Sequence, residues 1–314
     1  MTWRLRLPRG AGSQLHGGRS ARLVSFFPLL SWDGRGWTTE PALRRIDGFW
    51  STSPTADFDA RIVAPRGVRV LASGEELGGG RWRAVGVRDF GVAAGSFDIQ
   101  RTIVRLPRPV RVLVAVERRS SYPSEAFVEE TVRALRWYSE RYGAYPWMTY
   151  KLVVMSDPSE LFGVAYPTMG FVGDNSLVLV PHETAHQWFY SLVGNDQARD
   201  PWISEGLATW AQTGPEGSLT TMLATPVPSQ VRNRIGEPMS FWDRFDFETT
   251  RLGAYIRSVQ ALGSLGKPTV VDCALRLFVA RNAYRTATPR DLLAALVRFF
   301  PAAERKLTAF GARF

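Results

Sequence analysis

The sequence predicts an α+β chain of more than one domain, and three observations carry that expectation. Residues 1–118 hold short runs with a period of two, punctuated by glycine and proline. At Ser120 the period changes to three and four. From there strands and helices alternate, and from about residue 227 the chain reads mostly helical. The expected division is a β-rich part over 1–118 and an α/β part over 119–314 with a helical second half.

In the β-rich part, candidate strands lie at 21–27, 58–63, 68–71, 81–85 and 110–116. They alternate or are β-branched, and residues 65–67 and 78–80 supply turns between them. From Ser124 to Tyr142, apolar residues recur at Val128, Val132, Leu135, Tyr138 and Tyr142, which is helical spacing. Ser124 suits the start of that helix, Glu125 its first turn, and Gly143 its end. Strands are expected at 151–155 and 176–180. Pro181 suits the first turn of a helix over about 182–192. Gly194 and Asn195 break it, and Pro201 delays the next helix to about Ser204, with an end near Gly214 and Pro215. The clearest later helices are 255–265, 270–282 and 288–300, the last opened by Thr288 and Pro289.

Composition narrows the function. A chain of 314 residues with 45% hydrophobic and 12% aromatic content buries a large core and is not disordered. The net charge of +10 is carried almost wholly by arginine. The arginines are scattered, with no dense run and no nucleic-acid motif, so no nucleic-acid partner is expected. No run of eighteen apolar residues exists, so no membrane span is expected. The first thirty residues lack a secretory apolar segment, and a cytoplasmic location is the expectation. One cysteine, Cys273, excludes an internal disulfide; it falls in the apolar stretch 270–279 and is expected in the core.

The chemistry concentrates at His182-Glu183-Thr184-Ala185-His186, followed by Glu205. Histidines four apart on a helix share one face, where two imidazoles can hold one metal ion. Glu183 lies between them and can aim at a metal-held water. A catalytic zinc takes three protein ligands and keeps one open position. Glu205, after the intervening residues 187–204, is the third candidate ligand. Of the three histidines, only His16 lies elsewhere, in a glycine-rich run. The bland reading is an amphipathic helix with surface or core histidines.

The surrounding residues resemble the M1 family of zinc metallopeptidases, the gluzincin aminopeptidases. Members carry H-E-x-x-H, eighteen residues, then glutamate in a W-x-x-E-G setting. His182 to Phe189, Val193 to Asp196 and Pro201 to Gly206 match that pattern. Residues 26–33 and 87–90 resemble segments of the family's saddle-shaped β-domain. The resemblance implies a partial saddle-like N-terminal β-sheet domain, then a thermolysin-like α/β catalytic domain with a helical C-terminal half. Against the family's pattern the chain is shortened at both ends. It also implies one zinc per chain on His182, His186 and Glu205, Glu183 as general base, and a peptide substrate. Oligomeric state is left open.

Two further stretches are read from the resemblance. The family's amine-binding motif matches Gly163, Val164, Ala165 and Tyr166, but Ala165 stands where a glutamate binds the substrate's free amine. That departure leaves exopeptidase or endopeptidase action open; Glu160, five residues upstream, is a possible substitute. Tyr255 occupies the place of the tyrosine that stabilises the oxyanion, with Tyr166, Tyr190 and Tyr284 as weaker candidates. Trp188 and Trp202 are expected to pack against the metal helices. The alternative to a peptidase is a non-catalytic metal-binding or interaction protein that retains the fold. The intact Glu183 argues against it.

Overall fold

A computed structural model describes residues 1–7, 15–16, 20–41, 43, 52–118, 123–155 and 163–314. By internal contacts the chain sorts into two units. One comprises Met1–Leu29, Thr55–Arg136 and Tyr145–Gln187; the other comprises Leu30–Pro54, Trp137–Ala144 and Trp188–Phe314.

Among the described residues, nine strands precede the first helix: β1 (Leu15–His16), β2 (Ala21–Leu23), β3 (Ala56–Arg61), β4 (Arg69–Ala72), β5 (Glu75–Gly78), β6 (Arg81–Val87), β7 (Val92–Gly95), β8 (Phe97–Val104) and β9 (Val110–Glu117). β1-β2-β7-β4 form an antiparallel sheet, and β3-β6-β5 form a second one. In β6, Trp82 and Ala84 are buried while Arg81, Arg83 and Val85 are exposed, the period of two that marked this stretch as a strand.

α1 (Ser124–Tyr142) runs over the span its periodicity predicts. Its most buried residues include Phe127, Thr131, Leu135, Tyr138 and Tyr142, so Val128 and Val132 sit on the flank of the stripe. Thr131 can occupy the centre because its hydroxyl donates to Phe127 O at 2.7 Å. Gly143, at φ +113°, follows the helix where a residue with a Cβ would be strained.

The third sheet is the one that positions the site. β10 (Thr149–Met155) is buried throughout and pairs in parallel with β9 on one side and β12 (Met169–Gly173) on the other. β11 (Gly163–Tyr166) closes that edge, antiparallel to β12, and β8 closes the opposite edge, giving the order β11-β12-β10-β9-β8. A strand covered on both faces reads as a continuous apolar run, as residues 152–155 do. The sheet begins at Phe97 and so crosses residue 118, where the sequence reading placed a boundary. α1 stands between β9 and β10 in sequence, so only the pairing of β9 with β10 reveals the continuity. Val24, Leu71, Ala93, Phe97, Val153 and Phe171 share one buried cluster with this sheet.

Residues 176–180 do not form the expected strand. Leu177–Leu179 is a 3-10 turn leading into α2 (Val180–Ala185). A short apolar run such as Leu177 to Val180 fits either period, which is why the sequence misleads there. α2 also ends early, with His186 as its C-terminal cap, where a helix to residue 192 was expected. Gln187 N–H turns back to Thr184 O at 3.1 Å, and Tyr190 takes φ +147°, outside any helix.

The chain next forms β13 (Gly194–Asn195), which pairs in parallel with β14 (Thr286–Ala287). A π-helical turn, Trp202–Gly206, runs directly into α3 (Leu207–Glu216). This helix starts before Ser204 and carries Pro215 within it, ending instead at Gly217 in the left-handed conformation. The remainder is helical as expected, including Arg257–Gly263, Pro268–Asn282 and Pro289–Leu296. Thr288 and Asp291 form a reciprocal capping box at the start of the last of these. Cys273 is exposed on Pro268–Asn282, not in the core, because Val271, Ala274, Leu275 and Phe278 define the buried face. No described helix is long and apolar enough to cross a membrane.

Candidate metal centre

The buried end of α2 supplies two donors. His182 and His186 are one helical turn apart, and His186 N–H donates to His182 O at 3.3 Å. Their Nε2 atoms approach to 3.1 Å with the rings at 86°. Glu205 supplies the third donor from the π-helical turn. One ligand atom from each of His182, His186 and Glu205 lies within 4.8 Å of the others, and all three residues are buried.

This geometry fits zinc. Two zinc–nitrogen bonds of about 2.0–2.1 Å at a tetrahedral angle place their nitrogens about 3.3 Å apart. The observed 3.1 Å is close to that value. Two imidazoles and one carboxylate leave a fourth position open, the arrangement of a catalytic site and not of a closed structural one.

Glu183 is buried beside the first ligand. Its carboxylate lies against the backbone of β11: a methyl group at Gly163 would come within 2.2 Å of Glu183 Oε1. Glycine at 163 is therefore the condition for Glu183 to occupy its place. Side chains alternate along β11. Val164 and Tyr166 join the sheet's core cluster, so Gly163 and Ala165 share the opposite face, toward Glu183. Ala165 is buried and pairs directly with Gly170, whose added Cβ would lie 3.7 Å from Glu183 Cβ. Ala165 is thus on the face of β11 toward Glu183, where it offers only a methyl group. Glu160 lies outside the described residues.

Beneath α2, the Tyr150 hydroxyl meets Thr184 Oγ1 at 3.2 Å. Burial holds the Tyr150 phenol well above its ordinary range, and the nearby Glu183 charge pushes it further up. Tyr150 therefore stays protonated and serves as a neutral hydrogen-bonding support.

Tyr255 is half-buried on a second π-helical turn, Arg251–Ile256, and packs against the cluster of Val231, Trp242 and Ala254. This turn lies against the one that carries Glu205. A Cβ on Gly206 would fall 2.5 Å from Ser258 Cβ, and the Ser258 hydroxyl donates to Ala254 O at 2.6 Å. π-helical turns are rare and recur at functional positions. The weaker tyrosine candidates are placed differently. The Tyr166 hydroxyl lies 3.2 Å from Ser25 Oγ within the core, and Tyr284 is 45% exposed. Trp188 and Trp202 are fully buried packing residues, and Trp188 Nε1 donates to Gly143 O at 2.8 Å.

Sequence reasoning passed over one neighbour of the site. Gln187 is fully buried and bonded through both ends of its amide. A polar residue next to a metal ligand was the available signal.

No family model matches the chain. Human aminopeptidase RNPEPL1 is 28% identical over 191 residues, 51% of this chain and 26% of that protein. Rat aminopeptidase B is 35% identical over 78 residues, 23% of this chain and 12% of that protein. The chain thus matches about a quarter or less of the length of these curated relatives. An M1 zinc metallopeptidase variant from Deinococcus radiodurans, solved with a Tyr-Ser-Ala substrate, superposes with a TM-score of 0.68 at 21% identity, covering 98% of this chain and 73% of that one. The chain thus shares the fold of solved M1 zinc metallopeptidases, is similar in sequence to aminopeptidases over part of its length, and carries a two-histidine, one-glutamate donor set.

Proposed function

We propose that the chain hydrolyses peptide bonds with zinc in the manner of the M1 aminopeptidases, with residues 119–314 carrying the chemistry. The observation that carries this reading is the convergence of three buried donors, His182, His186 and Glu205, with Glu183 on the same helical turn. Zinc, when bound, supplies Lewis acidity that lowers the pKa of water and polarises the scissile carbonyl. Glu183 takes the proton of the attacking water and delivers it to the leaving amine. The Tyr255 phenol donates a hydrogen bond to the oxyanion. A peptide substrate is consistent with the Deinococcus relative, which was solved with one.

Ala165 shapes the specificity. A substrate's ammonium group that enters a cleft loses hydration, and leaving it unpaired there is costly. On β11, Ala165 provides no carboxylate for it. The expected behaviour is weak discrimination between free and N-blocked peptides, with internal cleavage permitted. The test is kinetics on one peptide with and without N-acetylation, in the natural chain and in Ala165→Glu. The substitution should raise activity on the free-amine form alone. A natural chain that already prefers the free amine by about a hundredfold, the scale set by one well-paired charge, contradicts this reading.

A further inference from the structure

The geometry points to Gln187 as a positioning residue that clamps the β11–β12 hairpin to the ligand segment and so sets the seat of Glu183. This rests on the proposed peptidase reading for its consequence, but the clamp itself stands on contacts.

The hairpin turns through Pro167 and Thr168, between the paired residues Tyr166 and Met169. Thr168 takes φ +64°, a conformation in which a β-branched residue is strained and which glycine adopts freely. Such a backbone persists where its surroundings over-determine it. Thr168 is fully buried, and three parts of the chain hold it. Its N–H donates to Gln187 Oε1 at 2.8 Å. Its hydroxyl accepts from Gly74 N–H at 2.7 Å, and its carbonyl accepts from Lys151 N–H at 3.0 Å. The other end of the Gln187 amide, Nε2, donates to Tyr166 O at 3.0 Å. One side chain therefore grips two backbone atoms of the turn, and that side chain belongs to the residue after His186.

β11 is four residues long and sits at the sheet edge, so among the described residues one strand, β12, pairs with it. At its far end Gly163 abuts the Glu183 carboxylate so closely that a methyl group has no room. A shift of the strand by a fraction of an ångström changes where that carboxylate can sit. Gln187 links the two: it ties the turn of the hairpin to the segment that carries His182, Glu183 and His186. It touches neither substrate nor metal in this role.

The experiment uses the full zinc-loaded chain and three variants: Gln187→Glu, Gln187→Leu, and Gln187→Leu combined with Thr168→Gly. Gln187→Glu keeps an acceptor for Thr168 N–H and replaces the amide donor to Tyr166 O with a buried carboxyl, whereas Gln187→Leu removes both bonds without adding a charge. Three quantities are read: zinc per chain, amide hydrogen exchange over 163–173, and kcat and KM on a peptide library. The expected result is full zinc retention and exchange faster by about tenfold or more, the scale of one lost buried hydrogen bond. kcat falls by a similar factor with KM little changed, since the defect lies at the reacting centre. Thr168→Gly restores part of both losses in the Gln187→Leu background, because glycine takes the turn without strain. Unchanged exchange in Gln187→Glu and Gln187→Leu overturns the clamp. Loss of zinc in step with activity also overturns it, by showing that Gln187 supports the ligands instead. A natural chain inert on peptides overturns the proposed function and leaves the exchange measurement to decide the clamp.

Discussion

The two imidazole ligands and the carboxylate ligand are carried by different kinds of backbone. His182 and His186 sit on a regular α-helical turn, and their placement follows from the i, i+4 relation alone. Glu205 sits on a π-helical turn, and that turn packs on a second π-helical turn, the one bearing Tyr255. Regular helix spacing suffices where two ligands come from one element. Glu205 and Tyr255 come from separate elements, and local irregularity and a close backbone approach at Gly206 replace periodicity in placing them.

The strongest way to break this comparison is to remove the ligand from the irregular turn. Glu205→Ala should lower zinc affinity by at least about a thousandfold, more than the tenfold to hundredfold typical of losing a supporting residue around a metal. Metal content after dialysis measures it. Full zinc retention by this variant would mean that the two histidines hold the ion with another acid.

The second turn is probed by Tyr255→Phe. That change should leave zinc in place and lower kcat by roughly a hundredfold, the scale of one lost oxyanion donor. Unaltered turnover would strip the second π-helical turn of its chemical role and leave it a packing feature.

A smaller effect tests how β11 is anchored on the side away from Glu183. Tyr166 on β11 meets Ser25, whose hydroxyl donates to Asp89 Oδ2 at 2.7 Å. Burial raises the Asp89 carboxyl from 3.8 to about 6, against the opposing effect of its bonds from Ser25 and Phe90. Between those two values the folded chain binds more protons than the unfolded one. Stability should therefore fall as pH rises from about 4 to about 6, by about 1–3 kcal/mol. Asp89→Asn should flatten that dependence in urea denaturation. An identical pH profile in both proteins would show that Asp89 titrates normally.

Much of this was legible in the residues, for physical reasons that also mark where legibility stops. α1 was readable because its caps and its stripe agree. The shared face of the two histidines was readable because helix geometry converts spacing into direction. The turn at Leu177–Leu179 was not, since four apolar residues satisfy both periods. Cys273 was misplaced because an apolar stretch on an amphipathic helix still has an exposed side. The π-helical turns at Glu205 and Tyr255 have no local signature, because the extra residue in each is accommodated by packing partners distant in sequence. The face of β11 that holds Gly163 and Ala165 became clear only once its pairing with β12 set the register.

In the proposed mechanism His182, His186 and Glu205 hold a zinc that works with Glu183 as the base. The most direct measurement is zinc content and peptide turnover in the natural chain and in Glu183→Gln, side by side. One zinc per chain in both, with turnover in the variant lower by at least about a hundredfold, is the expected result for loss of a general base. Equal turnover in the two proteins, or a natural chain that binds no zinc, would contradict it.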